Sequence, residues 1–156
     1  MQVVSKTGLV LFAAALFACG AEDSGNGQAL NPVAEPQSPA QRWYEPDQVA
    51  LGRQVFTDNC AVCHGDAAQG LHEDWRQRLD DGAFPPPPLN GSAHAWHHPL
   101  PVLLQVINDG GIPLGGKMPG FAEQLNEEQK LAAIAFFQDF WSDEIYANWQ
   151  RMGGAN

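Results

Sequence analysis

Residues 60 to 64 read Cys60-Ala61-Val62-Cys63-His64. Two thiols separated by two residues, followed at once by an imidazole, suit few chemistries. Haem carries two vinyl groups on neighbouring pyrroles. Thiols at this spacing reach both and form thioethers, and the adjacent imidazole of His64 then lies under the iron as its proximal ligand. The chain holds one such motif, which implies one covalently attached haem c. A Cys-x-x-Cys pair also serves as a thioredoxin-like redox couple or as half of a zinc site. The first belongs beside alternating strands and helices, and no such pattern surrounds Cys60. The second needs four ligands, and no further Cys-x-x-Cys follows.

The iron's other axial position needs a second donor. Of the three methionines, Met1 would leave with a signal peptide and Met152 lies near the chain end. Met118 lies in Gly115-Gly116-Lys117-Met118-Pro119-Gly120-Phe121, a glycine-rich loop able to wrap closely on a flat cofactor. A soft thioether there stabilises Fe(II) and raises the potential relative to a second histidine. His94, His97 and His98 compete for the same role. His94 and His98 are four apart and would share a helix face as a surface metal site, which Pro99 disfavours. Trp96 is a candidate donor to a haem propionate, since a buried indole N–H needs an acceptor.

These residues must be positioned by helices. Pro46 to Asn59 reads as a helix with Val49, Gly52 and Phe56 on one stripe, leading into Cys60. Leu100, Leu103, Leu104 and Ile107 recur at helical spacing and are closed by Gly110-Gly111. A last helix starts at Asn126 as N-cap and runs through Leu131, Ile134, Phe136, Phe137 and Phe140.

Together these motifs resemble the class I cytochromes c of bacteria. Gly52 and Phe56 stand before the first cysteine as the glycine and aromatic of that family's N-terminal helix do. The resemblance implies that the last helix crosses there, with Phe136 over Gly52. Pro87-Pro88-Leu89-Asn90-Gly91 is similar to the family's Pro-x-Leu-x-Gly segment. By that likeness the Pro87 carbonyl accepts a hydrogen bond from the far nitrogen of His64, and Leu89 packs on the haem. Met118-Pro119-Gly120-Phe121 looks like the family's Met-Pro-x-Phe loop, with Met118 on the iron. The resemblance covers about residues 46 to 141. It implies an all-α class I cytochrome c fold, with three main helices around one covalent haem and long loops. One departure is the extra length between His64 and Pro87. Leu71, Trp75 and Leu79 recur every four residues there and suggest a short extra helix over the haem crevice, as a packed insertion or a partner-recognition element.

The chain's beginning reads as an address. Gly8 to Phe17 is an apolar run of signal-peptide length, too short to span a bilayer. Leu16-Phe17-Ala18-Cys19-Gly20 resembles the lipobox of bacterial lipoproteins, with Cys19 as the lipidated residue; the alternative is ordinary cleavage near Ala18 and a soluble periplasmic protein. The expected divisions are a lipoprotein-type signal peptide (1–18), a flexible linker rich in Gly, Ser, Pro, Asn and Gln (19–42), the cytochrome domain (43–142) and a C-terminal tail (143–156). A disordered linker of this kind has an r.m.s. span of roughly 25–30 Å, enough to tether the domain on the periplasmic side of a membrane.

The formal net charge is −10. It argues against nucleic acid, whose phosphates require clustered Lys and Arg; it either favours protein partners with a basic docking face or only keeps the protein soluble. With both axial positions filled, iron changes oxidation state without changing ligands, and no side chain need act as acid, base or nucleophile. The expected function is single-electron transfer between redox partner proteins by a tethered, non-enzymatic carrier. The alternatives are a haem catalyst or sensor with a displaceable sixth ligand, or a fixed cytochrome subunit of a larger redox complex.

Overall fold

The computed structural model describes residues 41–156. The expected signal peptide, lipidation at Cys19 and all but the last two residues of the linker lie outside the described residues. Among the described residues there is no strand, and the architecture is all-α.

The described residues form five α-helices: α1 Pro46–Asn59, α2 Ala61–His64, α3 Leu100–Asp109, α4 Glu127–Asp139 and α5 Asp143–Arg151. Local chemistry sets their starts. Proline at the first position and a capping box between Glu45 and Gln48 open α1. Asn126 opens α4, its side chain accepting from the Gln129 amide while Gln129 reaches back to the Asn126 amide. Gly110, at φ 81°, ends α3 in a conformation that a side chain would strain.

α1 and α4 cross with almost no space between them. A Cβ placed on Gly52 would sit 1.9 Å from the Ala132 carbonyl oxygen and 2.9 Å from Phe136 Cβ. Only glycine permits that approach. One turn on, the Phe56 and Phe136 rings meet at 5.1 Å between centroids. The contact expected between Gly52 and Phe136 is therefore present, with the Ala132 backbone closer still.

Two segments differ from the sequence expectation. Residues 71–82 form turns instead of an extra helix. Leu71 is 57% exposed, so the four-residue spacing does not mark a buried stripe. The Asp74 carboxylate accepts the Arg76 amide, a local bond that competes with a helix, and the prolines from residue 85 onward end any continuation. The second difference is the expected tail. Ser142 caps α5 by accepting the Ile145 amide, and Tyr146 and Trp149, three apart on that helix, are completely buried. They pack with Trp141, Tyr44 and Phe137 in the main core, while the Tyr146 hydroxyl accepts the Trp43 amide at 2.8 Å. Residues 143–151 are thus part of the folded domain. Their few apolar side chains are large enough to bury a short helix, which a count of hydrophobic positions does not convey.

Truncating Trp149 to alanine should cost about 3–5 kcal/mol, as for other fully buried large aromatics. Gly52→Ala should reach at least the upper part of the about 1–3 kcal/mol range for overpacking, because the obstacle is backbone. Urea unfolding of the haem-loaded protein, followed by tryptophan fluorescence, measures both. A Trp149→Ala midpoint equal to wild type would show that α5 lies outside the cooperative core.

Candidate haem-binding site

Cys60 ends α1, its amide bonded to the Phe56 carbonyl at 2.8 Å. The chain turns at once into the single turn of α2, which carries Cys63 and His64. The two thiols are not bonded to each other. Cys60 is half-buried against the main core and Cys63 is exposed. Burial, and secondly the neighbouring Cys63, push the Cys60 thiol up to about 11.

His64 is 7% exposed. Its Nδ1 lies 2.9 Å from the Pro87 carbonyl oxygen. A carbonyl can only accept, so the proton sits on Nδ1 and Nε2 presents a lone pair. Burial lowers the imidazole's pKa, and the Pro87 bond offsets that only in part. The ring is thus neutral at pH 7, the form that ligates metal. Two unpaired thiols beside a buried imidazole with one oriented, unprotonated nitrogen are the donor set that a covalent haem needs. The residues fit the group.

Pro87 and Leu89 are held by their surroundings. The Leu89 amide donates to the Ala68 carbonyl at 2.7 Å, and its carbonyl accepts from Trp141 Nε1 at 2.7 Å. Leu89 packs, half-buried, against the main core. On the other side of the motif, the Gly70 amide donates to the His64 carbonyl at 2.7 Å. Backbone bonds therefore grip His64 at both its ring and its main chain.

Met118 belongs to a different neighbourhood. It packs with Leu51 and Ile107 against Val55, Phe121, Leu125 and Ala133. Its carbonyl accepts the Gly111 amide at 2.9 Å. Buried Lys130, on α4, donates to Asn108 at 2.7 Å and so secures the end of α3 from which this loop departs. His64 and Met118 thus sit on separate segments, His64 in α2 and Met118 packed beside Leu51 and Val55 of α1.

Trp96 lies half-buried on the main core, its ring edge-on to His97 at 3.9 Å, and its indole N–H has no bond to another described residue. Trp75 stacks on His94 at 4.6 Å, and His94 Nδ1 is buried without a partner. Burial, then the charges of His98, His97 and Arg76, lower the His94 pKa. Among the described residues no cluster of three metal-binding side chains occurs. Sequence reasoning did not find the roles of Trp141, Trp149 and Lys130. Trp149 Nε1 donates to the His98 carbonyl at 2.8 Å, so two indoles from the chain's end hold the two loops that carry Leu89 and the histidines. Their buried N–H groups were the only available signal.

Residues 47–137 match the family model described as "Cytochrome C oxidase, cbb3-type, subunit III". The chain is 32% identical over 96 residues to the cbb3-type cytochrome c oxidase subunit FixP of Rhizobium meliloti (strain 1021), covering 62% of this chain and 27% of that protein. It is 40% identical over 63 residues to the cbb3-type cytochrome c oxidase subunit FixPc of Rhizobium leguminosarum bv. viciae, covering 36% of this chain and 22% of that protein. The chain thus matches about a quarter of the length of these curated relatives. No solved structure matches it.

If Cys60 and Cys63 form the thioethers, replacing both with alanine leaves no covalent haem, and either single variant keeps at most one bond. Haem staining after denaturing electrophoresis reads the outcome. Covalent haem surviving in the double variant would refute the attachment.

Proposed function

This chain belongs to the cytochrome c family of cbb3-type oxidase subunit III, a family of covalent haem c proteins, and from that premise we propose that it is a cytochrome subunit of a larger redox complex. The single observation that carries this reading is the match of residues 47–137 to that subunit family. Both curated relatives are also named as oxidase subunits. The free, tethered carrier expected from the sequence is less well supported. Either way the domain passes electrons.

The site supports the following roles. Cys60 and Cys63 would attach the haem. His64 and Met118 would hold the iron, with Pro87 fixing the His64 tautomer, Leu89 packing against the haem and Trp96 donating to a propionate. Haem iron would supply the one-electron couple when bound; the protein's part is to hold the two donors in place. A protonated Nδ1 bonded to a carbonyl makes Nε2 a stronger donor, which favours Fe(III), whereas a thioether opposes it. The potential reflects that balance. Lipidation at Cys19 and the linker to residue 42 would tether the domain at the periplasmic face of a membrane. No described helix is long and apolar enough to cross one.

Gentle detergent extraction followed by native electrophoresis tests assembly. The haem band of this chain should migrate with a terminal-oxidase complex, whereas migration alone at the monomer's size would return the free carrier. Met118→Ala tests the ligand set. The wild-type ferric protein should show a far-red thioether-to-iron band. The variant should lose it and titrate at a lower potential, because Fe(II) loses more than Fe(III) when the soft donor leaves. Wild-type protein lacking the band and binding carbon monoxide readily would favour a catalyst or sensor.

A further inference from the structure

The segment between His64 and Pro87 makes an unexpected set of contacts. It leaves from Gly70, whose amide is bonded to the His64 carbonyl at 2.7 Å. It returns at Pro87, whose carbonyl holds the His64 ring at 2.9 Å. Between these two points it reaches the loop that carries Met118. The Phe84 amide donates to the Gly115 carbonyl at 3.0 Å. Asp81 forms an ion pair with Lys117, the residue directly before Met118. The Arg78 guanidinium lies over the Phe84 ring at 3.9 Å. A Cβ on Gly115 would lie 3.7 Å from both Arg78 Nη1 and Phe84 Cδ2, so this pair packs directly on the loop.

The segment's internal bonds serve the same end. The Gly82 amide donates to Leu79 at 2.8 Å, and the Leu79 amide to Ala83 at 2.9 Å. The Arg78 guanidinium bonds the Gly82 carbonyl at 2.6 Å. Together they make a tight turn that presents Asp81 and Phe84 to the loop. The loop itself has little to hold it. Its internal backbone bonds run from Gly111 to Met118, from Leu114 and Gly116 to Gly111, and from Gly115 to Ile112. Ile112 and Leu114 are 67% and 69% exposed. Burial of Ile112 and Leu114 therefore contributes little to the loop's conformation; Met118, packed on the cluster of Val55, Phe121, Leu125 and Ala133, is its buried anchor.

We infer that residues 71–86 are a brace for the methionine loop, with Arg78, Asp81 and Phe84 as positioning residues that govern how readily Met118 leaves the iron. The last clause rests on Met118 being the sixth ligand; the bracing of residues 110–118 does not. Because the brace is tied to His64 at both its ends, it links the two segments that bear the axial donors. Loop opening must break the Phe84–Gly115 bond and separate Asp81 from Lys117. The brace thus raises the free energy of the open state in which an outside ligand reaches iron.

The test uses the haem-loaded full chain. Residues 72–83 are replaced by a short Gly-Ser linker, leaving Phe84 and the His64–Pro87 contact. Amide hydrogen exchange at Gly111 and Gly116, both donors within the loop, should quicken by about tenfold, and exchange in α1 and α4 should not. Imidazole should bind the ferric iron faster by a similar factor. Asp81→Asn is a milder variant that keeps the backbone intact. It should speed both by only about twofold, as an exposed ion pair warrants, and added salt should quicken wild type but not this variant. Should the deletion fail to fold, Phe84→Ala and Asp81→Asn decide by the same exchange measurement. Unchanged exchange at Gly111 and Gly116 in the folded variants overturns the brace. Faster exchange in a protein whose wild type lacks the thioether-to-iron band keeps the brace and rejects Met118 as ligand.

Discussion

The close crossing of α1 and α4 at Gly52 is the constraint on which the site depends. A backbone carbonyl occupies the space where any other residue would carry Cβ. The approach brings Phe56 and Phe136 together in the core. α1 ends at Cys60, and α4 begins directly after the loop that carries Met118. Fixing the angle and depth of this one crossing therefore sets where the thiols sit relative to that loop. A larger separation would loosen both attachments at once, since Val55 on α1 and Ala133 on α4 share the cluster on which Met118 packs. Cores resist such changes because their side chains already fill the space.

The helices alone do not hold the residues that would face haem. Pro87, Leu89, His94 and His98 all lie in irregular chain, where no ladder of backbone bonds repeats. Single directional bonds take over that task. Trp141 and Trp149 donate to the Leu89 and His98 carbonyls. Each indole is fully buried, so an unmade bond would leave a desolvated donor, at a cost of about 1–3 kcal/mol. This asymmetry makes them effective pins. α5, which supplies Trp149, thus contributes to the site without touching the Cys-x-x-Cys-His motif.

Much of this was legible in the sequence where one residue type admits one explanation. The Cys-x-x-Cys-His spacing, the Asn126 cap and the Gly110 stop each reflect a local constraint, and the helices they imply occur at those residues. The crossing at Gly52 and the Pro87 contact to His64 were accessible through family likeness alone, because neither a helix crossing nor a carbonyl leaves its own mark in the sequence. Failures came where tertiary contacts outweigh local pattern. Leu71, Trp75 and Leu79 have helical spacing, yet Trp75 stacks on His94 and Leu71 stays exposed. Residues 143–151 gave the opposite error. Their mostly polar composition conceals Tyr146 and Trp149, and two large aromatics bury a two-turn helix as firmly as a longer apolar stripe would.

An electron-transfer domain must change charge at its centre with little movement of its ligands. Regular structure meets that need on one side, where His64 closes α2 and is gripped at ring and backbone. On the other side, the loop bearing Met118 lies between two helices and has exposed apolar side chains. Rigidity there has to come from neighbours: buried Lys130 at the end of α3, the core cluster under Met118, and the turns of residues 78–84.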